Sequence, residues 1–164
     1  MRTPIFKKER TVYWPSEYDD VVNIFRGITD SGERLHNPMY STNAEIIVLA
    51  ATIGLINNRR RVFKGGKNEI TTQTFHSRNL DGYLLLIPML GNPGMGQEIL
   101  KSENDEFLIT EFEQYASGGL EVLSGIFSES PGKSPEIIIQ TEMSKFLKIL
   151  DGRQKNESPP DIFS

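Results

Sequence analysis

Cysteine is absent from the 164 residues. That removes disulfides, thiolate nucleophiles, zinc ribbons and iron–sulfur ligation, and it suits a reducing cytoplasm. Histidine occurs twice, as His36 and His76. Asp30, Glu33 and His36 lie close in sequence, but a metal site wants three or four matched ligands and nothing fixes these as a set. His76 and Ser77 are neighbours, which prevents the hydrogen-bonded relay that serine activation needs. No metal and no cofactor are therefore expected. No apolar run approaches the ~20 residues of a membrane span. The amino terminus carries Arg2, Lys7, Lys8 and Arg10 without the apolar segment of a secretory signal, so the expected location is cytoplasmic. A surplus of positive charge is missing too. A formal charge of −4 argues against coating nucleic acid over the whole surface, while leaving room for a local basic patch. Repeats and low-complexity tracts are lacking.

What is present is an ordinary globular composition, 37% hydrophobic and 24% charged, long enough for one domain with a real core. The chain is organised around residues 43–64. Ile46 to Ala51, Ile53, Leu55 and Ile56 leave almost no polar face, and a helix apolar all round must be covered by the rest of the domain. Arg59, Arg60 and Arg61 follow at once, then Lys64 and Lys67. Around this core the pattern predicts an amphipathic helix from about Ser16 to Thr29 and a third helix from Leu80 to Leu90, ended or kinked by Pro88. A fourth helix starts at Asp105, is interrupted at Gly118-Gly119 and continues as a fifth. A last helix opens at Pro135. Ile70 to Phe75 reads as a short strand or an extended link. The expected fold is mostly α, a compact bundle of five to six helices with at most a short strand or hairpin. The expected organisation is a basic arm over 1–15, a single helical domain over 16–151 and a flexible tail over 152–164. Tyr13 and Trp14 are expected to dock the arm onto the core, the alternative being an arm that follows a nucleic-acid backbone.

The arginine cluster is the main candidate site. Guanidinium suits bidentate capture of phosphate or carboxylate, so Arg59, Arg60 and Arg61, with Lys64 and Lys67, are candidates for nucleic-acid or partner binding. The competing reading is that these cations complement the carbonyl end of the preceding helix and pair with surface acids. Glu103, Asp105, Glu106, Glu111 and Glu113 raise metal-dependent nuclease chemistry, yet they lack the Asp…Glu-x-Lys arrangement and read as a solvated helix face. Gly94-Met95-Gly96 has neither the preceding strand nor the following lysine of a phosphate loop. No catalytic residues are assigned.

Two motifs carry a resemblance. Ala50-Ala51-Thr52-Ile53-Gly54-Leu55 leading to Asn58-Arg59-Arg60-Arg61-Val62-Phe63, together with Phe112 to Leu123 (Phe-Glu-Gln-Tyr-Ala-Ser-Gly-Gly-Leu-Glu-Val-Leu), resembles the signature of the Dnd system-associated protein 4 family. These are small accessory proteins encoded beside bacterial DNA phosphorothioation-linked defence loci. Ser117 stands where that family commonly has asparagine, and Val62 where it commonly has proline. The resemblance implies a non-enzymatic accessory component of an anti-phage restriction system. Its partners would be a larger protein of the system and, through the basic loop, duplex DNA; no membrane is implied. The alternatives are a small metal-dependent nuclease and a purely protein-binding helical scaffold.

Overall fold

Helix α1 (Asp19–Phe25) is the first of six α-helices among the described residues, with α2 (Asn43–Ile56), α3 (Thr72–Ser77), α4 (Tyr83–Gly91), α5 (Asp105–Glu129) and α6 (Pro135–Asn156). Strands β1 (Thr11–Pro15) and β2 (Lys67–Thr71) add one antiparallel pair. The computed structural model describes residues 2–29, 31–34 and 38–156, the last four without their side chains. The chain is mostly α with a two-stranded sheet, and it divides into two units, 1–131 and 132–164.

In the first unit, α2 is the centre. The Thr42 side chain caps it by accepting from the Glu45 amide at 3.4 Å, while Glu45 accepts from the Thr42 hydroxyl at 2.8 Å. This reciprocal pair satisfies one orphan donor of the first turn. Ile46, Ile47, Ala50, Ala51 and Ile53 are completely buried, as expected for a helix without a polar face. Across it lies α5, whose Leu108, Phe112, Ala116, Leu120 and Leu123 are buried at helical spacing. Phe75 of α3 meets Phe112 edge-on at 6.1 Å, and Phe25 of α1 meets Phe127 at 5.7 Å.

The expected break at Gly118-Gly119 does not occur, because α5 runs unbroken through both glycines. A Cβ on Gly119 would collide with the carbonyl of Ala50, and one on Gly54 with the carbonyl of Tyr115. These glycines serve close approach of two helices rather than a turn, so the helical cost of glycine is offset by main-chain packing.

Three further boundaries differ from the sequence reading. The first helix is shorter than expected: Ser16–Tyr18 forms a 3-10 turn and α1 ends at Phe25. The extended segment is split, β2 ending at Thr71 and α3 starting at Thr72, because the Thr71 hydroxyl accepts from the Thr74 amide at 3.3 Å and caps a helix there. Part of the basic arm is strand β1, whose Trp14 is only 3% exposed. Pro88 lies inside α4, which nevertheless continues to Gly91.

In the second unit, Pro135 is the first residue of α6, as its position predicts. Ser134 Oγ accepts from the Ile137 amide at 3.4 Å, and Lys145 pairs with Glu142 one turn away at 2.9 Å. The helix extends to Asn156. His36, Asp30 and residues 157–164 lie outside the described residues.

Candidate binding surface

The basic loop begins where α2 ends. Asn57 Nδ2 donates to the Ile53 carbonyl at 2.8 Å, and Asn58 adopts φ 49°. That left-handed residue reverses the chain, and asparagine tolerates it better than most side chains. The Arg59 amide then donates to Gly54 O at 2.7 Å and the Arg61 amide to Gln114 O at 3.0 Å. One main-chain bond thus ties the loop back to α2 and the other sets it against α5. Gly118 makes room for it: a Cβ there would strike the Arg59 carbonyl.

The three guanidiniums all reach carboxylates. Arg59 pairs with Glu121. Arg60 pairs with Glu111 at 2.8 Å, donates to the Tyr115 hydroxyl at 3.1 Å and stacks over that ring at 5.1 Å. Arg61 pairs with Glu17 at 2.7 Å and Glu121 at 2.9 Å, its guanidinium 5.3 Å from the Tyr18 ring centre. Pairing with acids was the competing sequence reading, but not all of these acids are at the surface. Glu111 is 6% exposed and also accepts from Asn92 Nδ2 at 3.1 Å. Placing Glu111 on a solvated helix face is therefore incorrect; it is an internal counter-ion.

Past Arg61 the loop changes character. Val62 is 70% exposed, Lys64 is exposed, and Lys67 sits 4.0 Å over the Tyr13 ring. Neither lysine has an ion-pair partner among the described residues. Between them lies a cavity of about 270 Å³ lined by Tyr13, Phe63, Lys64, Lys67, Glu113 and Gln114, with Val62 on its wall. Glu113 accepts from the Tyr13 amide at 2.6 Å. Burial pushes its carboxyl above the ordinary value, against the pull of that amide and of the Lys67 charge. The five candidate residues thus separate into three that are ion-paired, Arg59 and Arg60 still exposed among them, and two exposed lysines outside the ion pairs.

A second cluster was not visible in the sequence. Asp81, only 1% exposed, accepts from Arg2, lies 2.9 Å from His76 Nδ1 and 3.4 Å from the Ile5 amide. Burial alone would raise its carboxyl. The hydrogen bonds from His76, Arg2 and Ile5, with the Arg2 charge, outweigh that and hold it below the ordinary value. Asn79 at φ 60° bends the chain so that Asp81 returns beneath His76. His76 is accordingly a mostly buried partner of Asp81. Arg2, read as part of a basic arm, is anchored here. Among the described residues, no group of three or more histidines and acids could hold a metal ion.

The fold and the surface define a small helical protein whose central helix pair carries an ion-paired loop with a cationic, partly apolar tip. The model of the family described as DNA sulphur modification system-associated protein 4 matches residues 17–157, and the chain belongs to that family. No curated protein and no solved structure matches the chain. None of the described helices is long and apolar enough to cross a membrane.

Proposed function

We infer that this protein is a non-enzymatic, cytoplasmic accessory component of a DNA sulphur modification-linked antiviral defence system, and that it docks onto a larger protein of that system through residues 62–67. The observation that carries the reading is the division of the loop. Arg59, Arg60 and Arg61 are tied to Glu17, Glu111 and Glu121, so the following residues are held on a fixed base. Exposed Val62 beside Lys64 and a small cavity offers an aliphatic anchor with a cationic rim, the mixture that preorganised protein contacts use. Family membership supports association with a DNA sulphur modification system.

The docking test is co-purification with the products of neighbouring genes, in the presence of nuclease to remove bridging DNA. A Val62→Asp/Lys64→Glu variant, altered only at exposed positions, is expected to keep its circular dichroism and lose the partner. Retention of the partner by the folded variant would overturn this docking surface.

Duplex DNA is a second reading, supported by the two lysines outside the ion pairs. Lys64→Ala/Lys67→Ala is expected to reduce the salt slope of DNA binding by about 2, uniformly across sequences. An unchanged slope, or no retention of DNA by the wild-type chain, removes DNA from the proposal.

A further inference from the structure

Among the described residues, strand β2 has one edge without a partner strand. The Ser16 amide donates to Gly66 O at 3.1 Å and the Thr72 amide to Arg10 O at 2.8 Å. Between them the register runs Trp14 opposite Asn68 and Val12 opposite Ile70. Hydrogen-bonded and non-bonded pairs alternate along an antiparallel ladder, so the even-numbered residues of β2 bond to β1. Lys67, Glu69 and Thr71 direct their amides the other way. The same alternation turns the Tyr13 amide of β1 outward, and there it meets Glu113 at 2.6 Å. On β2 no such cover exists: among the described residues, no hydrogen bond reaches the amides of Lys67, Glu69 or Thr71.

An open edge is a template for another strand, and charges commonly protect it. Here the two charges do not repel a copy of themselves. Lys67 and Glu69 are both exposed, opposite in sign and two residues apart. If β2 is set antiparallel to β2 of a second copy about a two-fold axis at Asn68, each Lys67 faces a Glu69. Both pairs attract. Lys67 and Glu69 are also the residues whose amides point outward, so this register completes the ladder. Centring the axis on Glu69 instead would oppose two carboxylates, so charge selects the first register. An acidic foreign strand would meet Glu69 and a basic one Lys67, whereas a second copy satisfies both.

We propose that two copies of this chain pair through their β2 edges into a continuous four-stranded antiparallel sheet, ordered β1-β2-β2-β1. The contact is isologous and shares only Lys67 with the docking surface proposed above. A strand pair alone is a small interface, so the dimer is weak and forms at micromolar or higher concentration.

Sedimentation velocity of the full chain over a concentration series tests it. The wild type is expected to pass from monomer to dimer. Lys67→Glu alone and Glu69→Lys alone each convert two attractions into two repulsions and are expected to weaken dimerisation about tenfold or more. The Lys67→Glu/Glu69→Lys swap restores the attractions and is expected to recover the dimer. Amide exchange at Glu69 should slow as concentration rises. A wild-type chain that stays monomeric, single variants that dimerise normally, or a swap that fails to rescue would each overturn the proposal. So would a partner protein that protects these amides while the chain itself remains monomeric.

Discussion

Arg60 and Glu111 show how one pair of residues can hold a whole loop. Glu111 is buried, and its charge is compensated by Arg60 at 2.8 Å and Asn92 at 3.1 Å. Removing one member of such a pair strands the other charge away from water, which costs several kcal/mol when both are fully buried. Arg60 retains some exposure, so Arg60→Met is expected to cost about 2 kcal/mol in chemical denaturation. Arg60→Met/Glu111→Leu should recover part of that loss, because no uncompensated charge remains. A single variant as stable as the wild type would show that the pair contributes nothing. The motif Arg59-Arg60-Arg61 was legible in the sequence; its counter-ions were not. Glu121 stands 62 positions from Arg59 and Glu111 stands 51 from Arg60. Glu17, the partner of Arg61, precedes both α1 and α2. No spacing rule links residues so far apart.

Among the elements, the crossing of α2 and α5 decides the architecture. Glycines at 54, 118 and 119 let the two backbones and the returning loop meet directly. Gly119→Ala would press a methyl group against the Ala50 carbonyl, and overpacking against main chain is expected to cost about 3 kcal/mol or prevent folding. Gly125 provides the contrast. It lies in the same helix, exposed, with open space where a Cβ would stand. There an alanine is expected to stabilise by roughly 0.5–1 kcal/mol. Thermal unfolding of the two variants distinguishes crossing from propensity, and equal effects would dismiss the crossing. Sequence periodicity located α2 and both halves of α5, but read those halves as two helices. It could not distinguish a turn from an approach at Gly118-Gly119, since both demand the missing side chain.

At the scale of the whole molecule, two carboxyls shape the pH dependence of stability in opposite senses. Asp81 is held below its ordinary value of 3.8, so its contribution is present above that pH and is lost as pH falls through the folded value. Asp81→Asn should therefore be less stable at neutral pH, with the gap closing in acid. Glu113 is raised above its ordinary 4.5. Its contribution is present below that pH and is lost as pH rises through the folded value, so Glu113→Gln should gain on the wild type as pH rises. Urea midpoints measured from about pH 3 to about pH 8 check both signs. A parallel shift of either variant at every pH would contradict the linkage. By itself, the sequence determined the helical class, the buried central helix and the position of the cationic loop, because periodicity and charge runs are local properties. Only the tertiary structure decided which cations find carboxylate partners and which do not, that Asp81 gathers Arg2 and His76, and that β2 keeps an open edge among the described residues. Each of those depends on residues brought together across the chain, where distance in space replaces distance in sequence.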